Sequence, residues 1–121
     1  MCRTFIVDDE EDMRVLLRAT IDTEDRGLHV VGEAASGPGA IAMAPELEFD
    51  VMVLDHKMPG MSGLDTAARF LESEPGLPIV LYSAFLDDAV AGEADRIGIR
   101  RCVRKGDTRA LVQALRDACC A

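Results

Sequence analysis

The chain has no tryptophan and no apolar run near the roughly 20 residues needed to cross a bilayer, so no membrane span is expected. Its first ten residues, MCRTFIVDDE, lack the apolar stretch of a secretory signal. No repeat, linker or low-complexity segment interrupts the 121 residues, which suits one domain over 1–121. Positive charge is scarce: 13 Lys and Arg stand against 22 Asp and Glu, a net charge of −9. Such a surface repels phosphate backbones, which argues against direct nucleic-acid contact by this chain and suits metal ions or cationic partners. The four cysteines, Cys2, Cys102, Cys119 and Cys120, show no C-x-x-C spacing. Neither a zinc site nor a disulfide framework is expected from them, and reduced thiols in a cytoplasmic setting follow.

What is present is an apolar content of 49%, enough for a packed core and too much for a disordered chain. Strand-length apolar runs recur at wide spacing: TFIV (4–7), LHVVGEA (28–34), FDVMVLD (49–55), LPIVLYSA (77–84) and IRRCVRK (99–105). Helical stripes fill the gaps. Met13, Leu16, Leu17, Thr20 and Ile21 share one face, as do Leu64, Ala67, Ala68 and Leu71, and then Leu111, Val112 and Leu115. Ser36 with Pro38 reads as a helix start, and Pro45 as an early stop. The thinnest stripe is Leu86, Val90 and Ala94, with Gly92 inside it, so a short or mobile helix is expected there. Strands alternating with helices predict an α/β fold, a parallel sheet covered on both faces, as the unbroken runs VMVL and IVLY also require.

In such sheets ligands bind beyond the carboxyl ends of the strands. The first strand, FIV, runs straight into five consecutive acids, Asp8 to Asp12. The third ends in Asp55, the fourth in Ser83 and the fifth in Lys105, while the second runs into small residues, Ala34 to Gly37. Taken singly, each group has an ordinary reading: acids solvated at a helix start, a turn Asp, a capping Ser, an exposed Lys. His29 and His56 read as ordinary imidazoles. Placed jointly on one rim, Asp8, Asp9 and Asp55 form a site for a hard cation with oxygen ligands, most simply Mg²⁺. One carboxylate could then attack a phosphoryl group and become an acyl phosphate, with Ser83 and Lys105 holding phosphoryl oxygens. Proline and glycines in DHKMPGMSG let the chain turn sharply beside Asp55.

The acidic pair after the first strand, VMVLD followed by MPGMSG, the Ser83-Ala84 step and Lys105 together resemble the receiver domain of two-component response regulators, over essentially the whole chain. The wording GEAASG, DHKMPGMSGLD and KGD is closest to receivers joined to helix-turn-helix effectors. The resemblance implies a flavodoxin-like, doubly wound five-stranded sheet in the order 2-1-3-4-5 with five helices. It implies that Asp55 is the phosphoacceptor, charged by a sensor histidine kinase or phosphotransfer protein, and that the domain is a switch, not an enzyme. Asp9 and Asp55 would hold Mg²⁺ directly, Asp8 through water, and Lys57 through its backbone carbonyl. Ser83 would be the switch hydroxyl, Lys105 the phosphoryl ion pair, and the fourth helix, fifth strand and fifth helix the output face, which would also carry any homodimer contact.

Departures from the family pattern lie near that face. Cys102 stands where an aromatic ring is usual, and Gly106 where proline commonly follows the lysine, which predicts a looser joint. Arg101 and Arg104 add charge to the fifth strand, with Arg104 expected to face outward. These changes keep a pseudo-receiver open, a protein–protein module that never takes phosphate. Two other classes fit worse. A haloacid-dehalogenase-like phosphohydrolase needs an acid where Lys57 stands, and a flavodoxin's FMN phosphate would be repelled by Asp8, Asp9 and Glu10. Lys57 and Phe85, each two residues beyond Asp55 and Ser83, should flank the path of water to an acyl phosphate. The chain would be a stand-alone receiver or a part of a longer protein.

Overall fold

A computed structural model describes residues 2–24 and 27–120. The order of elements is β1 (Cys2–Val7), α1 (Glu11–Glu24), β2 (Leu28–Ala34), α2 (Gly37–Met43), a 3₁₀ turn (Ala44–Glu46), β3 (Val51–Leu54), α3 (Gly63–Ser73), β4 (Ile79–Ser83), α4 (Asp88–Ile97), β5 (Arg101–Arg104) and α5 (Thr108–Cys120). All strand pairs are parallel, and the sheet order is β2-β1-β3-β4-β5, as the resemblance implies.

Alternate residues of each strand point to opposite faces, and both faces are covered. Ile6, Val53, Val80, Tyr82 and Val103 pack on one side with Leu17 and Ile21 of α1 and Leu111 and Leu115 of α5. Phe5, Val7, Met52, Leu54, Ile79 and Leu81 pack on the other with Ala67 and Leu71 of α3 and Ala94 of α4. With two layers to fill, the central strands cannot alternate polar and apolar residues, which is why their sequences read as unbroken apolar runs.

Local chemistry sets the helix ends. Ser36 caps α2 by accepting the Gly39 N–H at 3.0 Å, and the α-helix gives way to the 3₁₀ turn before Pro45, which cannot donate an N–H. The stretch with the thin stripe is a regular ten-residue helix, α4, stopped at both ends. Asp87 caps its start by accepting the Val90 N–H at 2.8 Å, and Gly98 ends it with φ +108°. Caps at both ends compensate for a stripe that buries only Ala94 fully.

The cysteines correct the sequence-based expectation. Cys2 and Cys119 form a disulfide, with Cα atoms 5.8 Å apart and 117 positions between them in sequence. No spacing motif signals such a bond, because only the folded order brings the start of β1 beneath the end of α5. Cys102 is a free thiol, and the side chain of Cys120 lies outside the described residues. Closing a loop of nearly the whole chain restricts the unfolded state, a stabilisation of about 2–4 kcal/mol. Reduction should therefore lower the urea midpoint by an equivalent amount, and Cys119→Ser should match the reduced protein and lose its sensitivity to reductant.

Candidate functional site

Three chemistry-bearing residues sit one position past a strand end, each held by one further rung of the parallel ladder. The Asp8 N–H donates to the Ala34 carbonyl at 3.1 Å, Asp55 to Val7 at 3.0 Å, and Lys105 to Ser83 at 3.0 Å. Their backbones are thus fixed by neighbouring strands, and the side chains converge above β1, β3 and β5.

Lys105 Nζ lies 3.0 Å from Asp8 Oδ2 and 3.1 Å from Asp55 Oδ2, with Glu10 Oε1 further away at 3.7 Å. The bond to Asp55 has good hydrogen-bond geometry. Asp8 Oδ2 is buried and is within ion-pair range of Nζ, but no hydrogen bond reaches it. Asp8 Oδ1 accepts the Glu10 N–H at 2.9 Å, so the inner carboxylate is held by its own turn. Asp8 and Asp55 are 1% and 4% exposed, which leaves Lys105 as the cation that offsets two desolvated anions. Asp9 is exposed at the rim.

Burial is the largest influence on Asp55 and raises its pKa, with the Asp8 charge adding to the rise; the Lys105 ammonium and the His56 N–H oppose it without cancelling it. For Lys105, burial works against the charged form, but the close ion pair with Asp8 and the hydrogen-bonded ion pair with Asp55 outweigh it and hold the pKa above its usual value.

One oxygen each from Asp8, Asp9 and Asp55 lie within 4.8 Å of one another. Opposite ligands of octahedral Mg²⁺ are about 4.2 Å apart, so small side-chain movements suffice to bring this set around the ion. The buried Asp8 oxygen that accepts no hydrogen bond is a ready ligand, and the donor set is all oxygen. These residues fit the cation that the sequence led us to expect.

The loop after Asp55 passes so close to α3 that a side chain at Gly63 would overlap the Asp55 carbonyl, while the Gly63 N–H donates to His56 O at 2.8 Å. Lys57 is exposed, and its Nζ sits 5.0 Å above the Phe85 ring, itself 59% exposed. Ser83 is fully buried at the end of β4, where its Oγ accepts the Phe85 N–H at 3.1 Å. Ala84 beside it is exposed. His29 is exposed and His56 half-buried, and neither is paired with a site carboxylate. Arg104 is exposed, as expected, and donates to the Leu86 carbonyl at 3.0 Å, tying β5 to the loop before α4.

Two contacts escaped the sequence reading. Glu10, grouped there with the solvated acids, reaches toward Lys105. Arg14 donates through Nη1 to the Asp8 carbonyl at 2.7 Å and lies 3.5 Å from Glu33, bracing the β1–α1 turn from below. Their only sequence signal is that Arg14 falls six positions after Asp8, on the first turn of α1.

The Asp55 shift fixes a pH dependence. Its pKa is higher folded than unfolded, so ionising it costs stability, and that cost is absent below the unfolded pKa and complete above the folded one. In chelator-containing buffer Asp55→Asn should raise the urea midpoint at pH 7, and the gain should shrink as pH falls through the folded pKa of Asp55. Wild-type and variant midpoints measured between pH 7 and pH 4 check this.

With the site described, its relatives can be compared. The family model "Response regulator receiver domain" matches residues 4–116. The chain is 33% identical over 119 residues to Response regulator GacA of Pseudomonas aeruginosa, covering 97% of this chain and 55% of that protein. It is also 33% identical over 103 residues to chemotaxis protein CheY of Thermotoga maritima, covering 85% of this chain and 84% of that protein. Among solved structures, a LuxR-family two-component response regulator from Aurantimonas sp. SI85-9A1 superposes with a TM-score of 0.92 at 27% identity, covering 99% of this chain and 86% of that one. The response regulator domain of Thermotoga maritima CheB gives 0.91 at 26% identity, covering 100% and 98%. The chain spans about half the length of GacA, the first of these relatives. The parallel order 2-1-3-4-5, the acidic cluster above it and these matches lead to one assignment: the chain belongs to the receiver-domain family of two-component response regulators.

Proposed function

We propose that residues 1–121 form one phosphoacceptor receiver, with Asp55 taking a phosphoryl group from a phosphohistidine on a sensor kinase or phosphotransfer protein. The observation that carries this reading is the buried Asp55 carboxylate held 3.1 Å from Lys105 Nζ, beside two further carboxylates. An Asp55 oxygen attacks phosphorus, the bond from phosphorus to the donor imidazole nitrogen breaks, and the imidazole takes a proton from water. The product is an acyl phosphate on Asp55. Mg²⁺, held by Asp8, Asp9, Asp55 and the Lys57 carbonyl, would neutralise charge on the phosphoryl oxygens.

Lys105 is already at the carboxylate and shifts its ion pair to the added phosphoryl oxygens. Ser83 Oγ accepts the Phe85 N–H, so turning the hydroxyl toward the phosphoryl group would move the β4–α4 loop. This loop leads into α4-β5-α5, the surface we assign to output and to any homodimer. Cys102 packs against the same core layer as Leu86, Val90 and Ile97 without the bulk of a ring, so the readout passes through smaller movements. The acidic surface argues against direct nucleic-acid contact by this chain, and the cytoplasm, where such kinases deliver phosphate, is its proposed place. The domain acts as a switch whose only chemistry is on itself.

Intact-protein mass after incubation with acetyl phosphate tests the assignment. One phosphoryl adduct should form in wild type with Mg²⁺, and none should form in Asp55→Asn or in excess chelator. No adduct on wild type under any condition would overturn it and leave a phosphorylation-independent interaction module.

Lys57 stacked over Phe85 forms a lid beside the path of an attacking water. Phe85→Ala should shorten the half-life of the phosphorylated form by about threefold to tenfold, consistent with losing a contact worth about 1 kcal/mol. An unchanged half-life, followed by loss of the adduct, would show that the ring does not shield it.

A further inference from the structure

We infer that the buried Tyr82 hydroxyl is a positioning group for Lys105, acting through the backbone of Gly106. Tyr82 is 2% exposed, and its ring packs in the core with Val53, Val103 and Leu111, on the side of the sheet covered by α1 and α5. Its hydroxyl nevertheless reaches out of that layer and accepts the Gly106 N–H at 3.0 Å. Gly106 follows Lys105 directly and has φ +99°, a conformation that only glycine adopts readily.

A Cβ built at Gly106 would meet nothing within 4 Å, so this side of the joint is open. Hydrogen bonds tie it down. The Lys105 N–H is held by Ser83 O, and the Asp107 N–H by Arg104 O at 3.1 Å; between them stands the Tyr82 contact. Two consecutive residues of β4, Tyr82 and Ser83, therefore grip two consecutive residues, Gly106 and Lys105, after β5. The grip sets the direction in which the lysine leaves the backbone, and Nζ must meet two carboxylates at once. The looser joint that the sequence suggests at Gly106 is thus tied down by a side chain from the neighbouring strand.

The inference extends the phosphoacceptor reading, and its test stands apart from that reading. Tyr82→Phe keeps the ring and removes only the acceptor. With acetyl phosphate and Mg²⁺, its phosphorylation rate should fall about fivefold, the factor that follows from one ordinary hydrogen bond. The same substitution in a Lys105→Met background should change the rate little, because the group being positioned is gone. A structural role alone would give the same effect in both backgrounds, and that result overturns the inference.

Unfolding midpoints of the same four proteins decide the matter even if wild type takes no phosphoryl group, an outcome that would overturn the phosphoacceptor reading only. Non-additive losses support positioning, and additive losses refute it. In wild type the Gly106 amide, though its residue is exposed, should exchange slowly with solvent deuterium; exchange at the rate of a free amide would refute the contact without any variant.

Discussion

One ammonium group holds this rim together. Lys105 Nζ is shared between two buried carboxylates that come from strands 47 and more residues apart, and without it Asp8 and Asp55 would be uncompensated anions in a water-poor site. Breaking a buried pair of this kind costs about 3–5 kcal/mol, whereas forming it returns little beyond the desolvation of its members. The arrangement is therefore a weak source of stability and a strong constraint on geometry. The fold meets it by carrying each charged residue one rung past a strand end, where the neighbouring strand fixes the backbone before the side chain begins.

The same constraint shapes the chemistry. Burial lifts the Asp55 pKa and the lysine restrains the rise, so the carboxylate is shielded from bulk water as a surface acid is not. Above it, exposed Asp9 and Glu10 leave the mouth of the site negative. A cation is attracted to that mouth, while a free phosphate anion is repelled unless its charge is neutralised on arrival. The two turns that carry Asp55 and Lys105 solve opposite problems. At Gly63 the backbone of α3 presses on the Asp55 carbonyl and leaves no room for a side chain, whereas at Gly106 there is space where a side chain would stand, and a hydrogen bond ties the backbone down.

Toward α4-β5-α5 the molecule is assembled from small parts. Cys102 fills only part of the volume a ring would occupy, and burial together with the nearby Asp95 charge pushes its thiol pKa up, which disfavours the thiolate. Arg104 replaces apolar contact with a hydrogen bond to Leu86 O. The β4–α4 loop is thus tied to β5 three residues beyond Ser83, through the Leu86 carbonyl that Arg104 holds.

Much of this was legible in the sequence. The apolar runs located all five strands, since a two-faced parallel sheet leaves few polar positions in its centre, and Ser36 and Pro45 marked the ends of α2 through local hydrogen bonding. The rim could be anticipated as well, because in a parallel sheet every strand ends on the same side, so Asp8, Asp9, Asp55, Ser83 and Lys105 had to converge. Tertiary structure alone decided which of them touch: that Lys105 serves Asp8 and Asp55 together, that Cys2 meets Cys119, that Tyr82 holds Gly106 and that Arg14 braces Asp8. Periodicity and capping are properties of neighbours along the chain and survive in the one-dimensional text. Ion pairs, disulfides and hydrogen bonds between distant segments depend on close approaches that exist only after the sheet has twisted and the helices have packed.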